Sequence, residues 1–471
     1  MIHEGAYDGV YEMSTTLREY QMQAVAGGRT RVNPKYEGQV QTGQFEYLDA
    51  VSLYPSAIAE QCEFQGGFPT GEAYLLKPEE LNMDFLAGVS DYTVTIRITA
   101  IRKKQQSIPF IRVRTSSNGL DYVNELIDDQ PIVDTVDKVT LEDYQEFHGI
   151  DFEILEGIYW TGSKNQKFGQ IMAKLHAERK GCKTRGETTK ANLIKLIMNS
   201  AYGKSIQKSH PTRKLYFPIN KWDPKSGVHK ETNWRLWIYN KFNVMDKLRF
   251  IGDHVIELTE FAPDSGFTLP HIGSRILATS KRLMNRVFNL CSELKAPIYY
   301  TDTDSFLVDR VDVPRLSIAF ESKYNRVLLG ENFGQFHSDF TFKKDGKSVD
   351  ASLVHSTQFW PMGKKLYCHR LQADLPDGSV LHSIQYKCKG CTEHGLVYKA
   401  REFGEGDEGV MALYQALADG KEIEVPLNPP GYKPRFEYDK SNRVSTHGKI
   451  FYRTIRSPAA MQRMEADTPM M

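Results

Sequence analysis

A short stretch of alternating hydrophobic and polar residues leads into the first candidate acid of the chain. Phe45 to Leu48 alternates as a β-strand does, and Asp49 follows it directly. Ser52 to Ser56 then predicts a turn that feeds a helix, with Pro55 near the first helical position. An acid at the end of a strand and beside a helix start is a common location for a metal ligand.

The second candidate acids lie in a predicted hairpin far along the chain. A helix from about Ile272 to Leu294 precedes a strand from Ile298 to Thr301. The chain turns at Asp302-Thr303-Asp304 and returns as a strand from Ser305 to Val308. Two acids spaced two residues apart in an extended turn can face the same side. Taken alone, this pattern also fits an ordinary acidic surface turn.

Between these signals, the pattern predicts an insertion and a projecting pair of basic helices. Strands at Tyr92–Ile98 and Ile108–Val113 make residues 62–160 a mixed insertion. A helix from Lys167 to Glu178 is broken by the stretch 181–186, and Thr184 with Glu187 then resembles a capping box that opens a second helix through Tyr202.

A β-hairpin arm is expected next, built from Lys214–Ile219, the turn Asp223–Gly227 and Trp234–Tyr239. The last hundred residues are mixed and basic in patches, which suggests a small separate subdomain. The predicted divisions are therefore 1–61, 62–160, 161–206, 207–245, 246–375 and 376–471.

Composition indicates a globular protein with a locally basic surface. The chain has 471 residues, of which 40% are hydrophobic and 25% charged, with a formal net charge of +1. Lys164 to Lys214 holds ten Lys, three Arg and two Glu, a local net charge of +11, which fits a surface that grips a phosphate backbone or a solvated basic helix. No signal peptide and no apolar run of membrane-spanning length is present, so an intracellular protein in the host cytoplasm or nucleus, not secreted and without a membrane partner, is expected.

Six widely spaced Cys residues fit a reduced compartment. Cys388 and Cys391 have zinc-like spacing, and His394 follows three residues later. No second Cys or His pair stands nearby in the sequence, so a tetrahedral zinc site would need a distant ligand.

Three strings of several residues stand in one order along the chain: Asp49-Ala-Val-Ser-Leu-Tyr-Pro-Ser56, Lys195-Leu-Ile-Met-Asn-Ser-Ala-Tyr-Gly203 and Tyr300-Thr-Asp-Thr-Asp-Ser305. They resemble motifs A, B and C of the family B DNA polymerases. Lys364-Lys-Leu-Tyr367 is similar to the family's Lys-x-Tyr motif, and Lys387-Cys-Lys-Gly390 to the start of its thumb. The resemblance implies an α+β right-hand fold with an antiparallel palm sheet, helical-hairpin fingers and a C-terminal thumb.

The resemblance also implies a role for each matching residue. Asp49 and Asp304, with Asp302 beside them, match the ligands of two Mg²⁺ ions, for which Mn²⁺ can substitute. Tyr54 matches the tyrosine that excludes ribonucleotides. The remaining matches are residues that meet the dNTP or the primer-template DNA: Lys183 (or Arg179 or Arg185 in its place), Lys195, Asn199 and Tyr202 for the nucleotide, and Lys365, Tyr367, Ser52 and Gly203 for the DNA.

The two insertions resemble those of the protein-primed branch of phages, adenoviruses and linear plasmids, which implies a terminal priming protein as a partner. Ala26-Gly-Gly-Arg29 stands where that branch carries a Tyr-x-Gly-Gly element, with Val25 in the tyrosine's place. Only 48 residues precede Asp49, too few for the family's exonuclease domain. We therefore expect a fragment, a chain that pairs with a separate exonuclease subunit, or an enzyme that does not proofread.

Two other classes of function remain open. A non-catalytic nucleic-acid-binding fragment that needs a missing N-terminal half is the first alternative. An RNA-templated or RNA-making enzyme is the second; against it, the third motif is Asp-Thr-Asp, not adjacent aspartates, and Tyr54 predicts selection for deoxynucleotides.

Overall fold

The computed structural model describes residues 4–103, 106–114, 119–207, 212–261, 268–344, 347–429, 437–438, 444–445 and 450–467. The chain divides into two compact units. The first comprises Met1–Ile206, Leu269–Val425 and Arg453–Met471, and the second comprises Gln207–Thr268 and Pro426–Tyr452. Among the described helices, none combines the length and apolar character needed to cross a lipid bilayer.

An eight-stranded antiparallel sheet forms the centre of the first unit. Residues of the strand Gln41–Ala50 alternate between two cores, with Phe45 and Tyr47 on one face and Leu48 and Ala50 on the other. The sheet is therefore buried on both faces around that strand. Its strands in spatial order are Thr30–Val32, Ile298–Asp302, Ser305–Asp309, Gln41–Ala50, Val354–Gly363, Leu366–Asp374 and Val380–Cys388, and Phe336–Ser338 also pairs with Gln41–Ala50.

A long helix, Pro270–Glu293, covers one face of this sheet. It begins at a proline, whose fixed φ suits the first helical turn. Leu283, Val287 and Leu290 recur at i, i+4 and i+7 and lie in the core under the sheet. The other helices of this unit outside the insertion are Thr15–Gln23, Leu53–Phe64, Lys167–Thr184, Thr188–Ser205, Val313–Tyr324, Glu393–Ala400, Gly406–Ala418 and Pro458–Asp467.

The predicted insertion folds as a four-stranded antiparallel sheet with its own apolar core. The strands in order are Tyr74–Leu75, Ile150–Trp160, Asp91–Ile101 and Ile132–Asp137, accompanied by the helices Met83–Ala87 and Lys138–His148, the hairpin Ile111–Arg114 with Leu120–Val123, and the short pair Phe68–Pro69 with Lys164–Asn165. Asp137 caps the helix Lys138–His148 by accepting a hydrogen bond from the backbone of Thr140 at 2.8 Å.

Buried ion pairs join the insertion to the long helix. Arg275 donates to Asp91 at 2.9 Å and lies 3.2 Å from Asp137, while Arg282 donates to Asp143 at 2.6 Å. We call these five residues the buried ion-pair strip, since each is at most 6% exposed. Charges desolvated in this way are stable only while both partners are present, so the strip ties the insertion to the helix.

The two basic helices form the predicted hairpin, but the first helix ends and the second helix begins at residues other than those predicted. The first helix continues through Thr184, so the predicted break at 181–186 is wrong at its start, because Gly181 is accommodated within the helix. The capping box is also wrong: Thr184 donates to the carbonyl of Lys180, and the Glu187 carboxylate accepts from the guanidinium of Arg185. The second helix begins at Thr188.

The second unit holds a three-stranded sheet, in the order Thr212–Pro218, Val255–Phe261 and Met245–Ile251, with the hairpin Asn220–Asp223 and Val228–Glu231. The strand Thr212–Pro218 pairs with Val255–Phe261, so this unit extends beyond residue 245, where the sequence analysis placed the end of the arm. Trp234–Lys241 is a helix, and its prediction as a strand of the arm is wrong.

The aromatic residues of that segment explain the helix. Trp234 and Trp237, at i and i+3, share one helix face. Trp237 stacks on Phe217 with ring centroids 4.8 Å apart, and Trp234 meets Phe250 edge-on at 5.7 Å. Packing against the sheet therefore outweighs the strand preference of these side chains.

Beyond the central sheet, the C-terminal helices pack as a separate apolar cluster. Leu396 and Leu413 lie in that cluster together with Trp360 of the sheet. Val380–Cys388 belongs to the central sheet through its pairing with Leu366–Asp374, although the expected division at 375 separates them. The remaining short strands are Ile423–Pro426, Tyr452–Ile455, Lys343–Lys344, Lys347–Ser348, Glu437–Tyr438 and Val444–Ser445.

Candidate active site

Asp49 and Asp304 are brought together by strand pairing. Asp49 lies opposite Ser305 in the antiparallel register, and the backbone N–H of Ala50 donates to the carbonyl of Asp304 at 2.8 Å. The two acids, 255 positions apart in the sequence, therefore stand on neighbouring strands and line one cleft of about 650 Å³. The structure thus places them as the sequence predicts.

The electrostatics of this pair indicate an unbalanced cluster of carboxylates. Burial, followed by the charges of Asp304 and Asp339, raises the pKa of Asp49 to about 8, and the nearby Lys195 opposes the shift. Burial also raises the pKa of Asp304 to about 6, with further contributions from Asp302 and Asp339. Carboxylates that repel one another in this way are stabilised by a bound cation.

The same residues fit a magnesium site. Mg²⁺ retains several waters and needs one or two carboxylates together with substrate phosphates, and Asp49 and Asp304 provide two carboxylates in one cleft. Within the described residues, no three His, Cys, Asp or Glu side chains form a ready-made cation cage. The donor set therefore suits an ion that arrives with a nucleotide better than a permanently chelated ion.

Asp302 has a different environment from its two neighbours. Lys365 Nζ lies 2.6 Å from both of its carboxylate oxygens, and the hydroxyl of Thr30 donates to it at 2.8 Å. Lys365 itself has a φ of +55°, in the left-handed region. The second predicted primer residue, Tyr367, is 5% exposed, in the core beside Tyr300. A metal role for Asp302 and a primer role for Lys365 and Tyr367 stay predictions.

The Gly27-Gly28-Arg29 element braces the turn that carries Asp304. Thr303, at the tip of the turn with a φ of +67°, donates its backbone N–H to the carbonyl of Arg29 at 2.7 Å. A Cβ atom at Gly28 would lie 2.6 Å from Thr303 Cγ2, whereas one at Gly27 would meet nothing within 4 Å. Arg29 is buried, and its guanidinium lies 4.8 Å from the ring of Phe110. Its position is thus fixed.

Tyr54 lines the cleft and packs against Tyr202, which does not line it. Their rings stack at a centroid distance of 4.1 Å with an angle of 18° between the planes. Ser52 precedes the helix that carries Tyr54 and has a φ of +51°, so the chain turns sharply between Asp49 and that helix. Two of the three predicted motifs therefore meet through aromatic rings. Burial, with the charge of Asp304, raises the pKa of Tyr54.

The basic wall of the cleft comes from the helical hairpin. Lys183, Lys195 and Asn199 line the cleft, and Lys183 lies in the last turn of the first helix; their contact with a nucleotide stays a prediction. Arg179 also lines it and donates to the Ser52 hydroxyl at 3.1 Å. Arg185, the other residue considered for this role, is paired with Glu187 instead. Of the remaining predicted residues, Ser52 lines the cleft; Gly203 is among the residues that do not.

Among the cleft residues that the sequence analysis missed are Asp339, His337 and Glu331. His337 lies directly opposite Asp49 in the pairing of Phe336–Ser338, and its ring lies 3.1 Å from a carboxylate oxygen of Glu331. Asp339 follows that strand, and burial raises its pKa. The available signal was a third short strand that runs into an acid, the same pattern that drew attention to Asp49.

Comparison with known proteins finds one family model that matches the first part of the chain. Residues 2–233 match the family described as DNA polymerase type B, organellar and viral. That match includes Asp49, Tyr54, Lys195 and Tyr202. Among curated proteins, no significant match is found.

Solved structures of Phi29 DNA polymerase share the fold of this chain. The ternary complex with primer-template DNA and incoming nucleotide aligns with a TM-score of 0.57 at 16% identity, covering 94% of this chain and 63% of the other. An orthorhombic crystal form aligns with a TM-score of 0.59 at 16% identity, covering 96% of this chain and 64% of the other. This chain therefore spans less than two thirds of the length of those polymerases.

Proposed function

We propose that the chain is a polymerase of the organellar and viral type B family, whose model matches residues 2–233, and that it performs template-directed DNA synthesis. The observation that carries the proposal is the cleft in which Asp49 and Asp304 face Lys183 and Lys195 of the helical hairpin. Opposed carboxylates and cations match a nucleoside triphosphate bound through divalent metal ions. The proposed reaction joins a dNTP to a primer 3′-hydroxyl, or to the hydroxyl of a priming protein.

The carboxylates, lysines and tyrosines of the cleft have different roles in the proposed reaction. Asp49 and Asp304 would hold two Mg²⁺ ions, which supply acidification of the attacking hydroxyl and neutralisation of the triphosphate. Lys195 and Lys183 would bind the triphosphate as point charges. The Tyr54 ring, held against Tyr202, would occupy the space that a ribose 2′-hydroxyl needs.

The partners of the proposed polymerase follow from the same reasoning. Phosphate contacts from the basic hairpin would make binding of primer-template DNA salt-dependent and largely independent of sequence. A terminal priming protein is a proposed partner, since both insertions resemble those of the protein-primed branch, and a separate exonuclease subunit is a second proposed partner. We place the enzyme in the cytoplasm or nucleus of a host cell.

A second candidate function is a nucleic-acid-binding piece that is inactive without further sequence. The observation that favours it is coverage, because the chain spans only 63% to 65% of the length of the aligned polymerases. Against it, the carboxylates and lysines of the cleft are all present and assembled.

Extension of a 5′-labelled primer on a DNA template distinguishes the two candidate functions. The purified chain is given Mg²⁺ and dNTPs beside an Asp304→Asn variant, which retains the size of the side chain and removes its charge. If the unaltered chain extends the primer and the variant binds DNA equally well but does not extend the primer, the proposed polymerase activity is supported. DNA binding without extension by the unaltered chain would reject catalysis by this chain alone and favour the second candidate.

A further inference from the structure

Cys388 and Cys391, which the sequence analysis considered for zinc, lie in one tight turn at the edge of the central sheet. Cys388 ends the strand Val380–Cys388, and its carbonyl accepts a hydrogen bond from the backbone N–H of Cys391 at 3.2 Å. Gly390 between them has a φ of +87°, which a type II turn requires at its third position. Such a turn brings its first and last Cα atoms within about 7 Å, close to the separation that a disulfide spans.

The environment of the pair separates the two thiols chemically. A hydrogen bond from Cys388 and the charge of Arg453 lower the pKa of Cys391. The same hydrogen bond, followed by burial, raises the pKa of Cys388. Arg453 lies against Gly390, where a Cβ atom would overlap its guanidinium. Cys391 is therefore the better nucleophile, and Cys388 is the second thiol beside it.

Zinc does not explain this arrangement. Within the part of the chain that the structure describes, no third His, Cys, Asp or Glu joins the two cysteines in a group that could hold a metal ion. A pair of partly exposed thiols beside a guanidinium is the setting of a redox-reactive dithiol.

The turn also contacts Lys365, which directly precedes the strand Leu366–Asp374. The backbone N–H of Lys389 donates to the carbonyl of Lys365 at 2.9 Å, and Leu366 pairs with Cys388 in the sheet. Lys365 in turn binds the carboxylate of Asp302. One backbone hydrogen bond therefore separates the dithiol turn from the residue that holds Asp302.

We propose that Cys388 and Cys391 form a reversible redox site, and that their disulfide changes the hold of Lys365 on Asp302 and with it the rate of primer extension. The first half stands on the turn geometry alone, and the second half rests on the proposed function.

The chemistry is thiol–disulfide exchange with a small disulfide such as oxidised glutathione. The Cys391 thiolate attacks one sulfur of that disulfide, and one glutathione leaves as thiolate while a mixed disulfide forms. Cys388 then loses its proton to solvent and attacks the Cys391 sulfur, which expels the second glutathione. Two protein thiols are oxidised, and one glutathione disulfide is reduced to two thiols.

The test incubates the full chain with oxidised glutathione, quenches it with acid and maps the cysteines by peptide mass spectrometry. We expect a Cys388–Cys391 bridge that dithiothreitol removes, formed at least about tenfold faster than any adduct at Cys62, whose pKa burial raises to about 11. A Cys62→Ser variant is the matched control and retains the bridge. Glutathione adducts at Cys388 or Cys391 without a bridge, or no reaction there, would overturn the site.

Primer extension is measured on the same samples. Oxidation should change the rate at least about fivefold, reversibly with dithiothreitol, in the unaltered chain and not in Cys391→Ser. A bridge that leaves the rate unchanged overturns the coupling to Lys365. If the reduced chain extends no primer, the proposed polymerase activity fails and the coupling fails with it, while the bridge, which is read by mass, stands or falls independently.

Discussion

Replacing Gly28 by Ala should disturb the turn Asp302-Thr303-Asp304 without replacing any acid. The new Cβ atom would lie 2.6 Å from Thr303 Cγ2 and 3.0 Å from Thr303 Cα, where ordinary contact begins at 3.4 Å. The turn must therefore shift by about 0.4 Å at its backbone and about 0.8 Å at the side chain. Asp304 follows Thr303 directly, so its carboxylate moves with the turn.

A catalytic group misplaced by about 1 Å can cost about 100-fold in rate. We expect Gly28→Ala to lower single-turnover primer extension by about 10- to 100-fold, with little change in DNA affinity. The matched control is Gly27→Ala, because a Cβ atom at Gly27 meets nothing within 4 Å. Equal extension rates for the two variants, both folded by circular dichroism, would refute the bracing of the turn by Gly28.

Three further predictions concern other parts of the molecule. Tyr54→Val should raise the ratio of ribonucleotide to deoxynucleotide kcat/KM; an unchanged ratio contradicts its role as a steric gate. Arg275→Met should lower the free energy of unfolding by about 3–5 kcal/mol in urea titrations, because it leaves buried carboxylates unpaired, whereas Arg102→Met, at an exposed pair, should lower it far less. Burial lowers the pKa of His271 to about 4 from 6.5. Between pH 6.5 and pH 4 the unfolded chain therefore binds more protons than the folded chain, so the free energy of unfolding falls as the pH falls. His271→Gln should show a shallower fall in urea titrations over that pH range.

Local patterns account for the parts of the structure that the sequence predicted. The strands that carry Asp49 and Asp302 and the helix that covers the sheet are all marked by periodic apolar residues. Lys195, Asn199 and Tyr202 share a helix face through spacing alone, although Tyr202 meets Tyr54 beneath the cleft. These features depend on residues that lie a few positions apart in the chain, so the sequence alone is enough to predict them.

Features that depend on register between distant segments were not predicted. Asp339 reaches the cleft because Phe336–Ser338 pairs with the strand that carries Asp49. The local pattern, a short strand before an acid, does not encode which strand it pairs with. The ion pair of Lys365 with Asp302 likewise requires two strands to bring their ends together. The helix Trp234–Lys241 was missed for a related reason, since its aromatic residues favour a strand until the sheet that they cover is known.

The buried ion-pair strip makes the insertion a structural part of the first compact unit rather than an accessory. Removing residues 62–160 would take away the carboxylate partners of Arg275 and Arg282 and expose to solvent the face of the long helix that carries them. For this chain, specialisation of the insertion is confined to its outer surface, while its inner face is committed to the long helix.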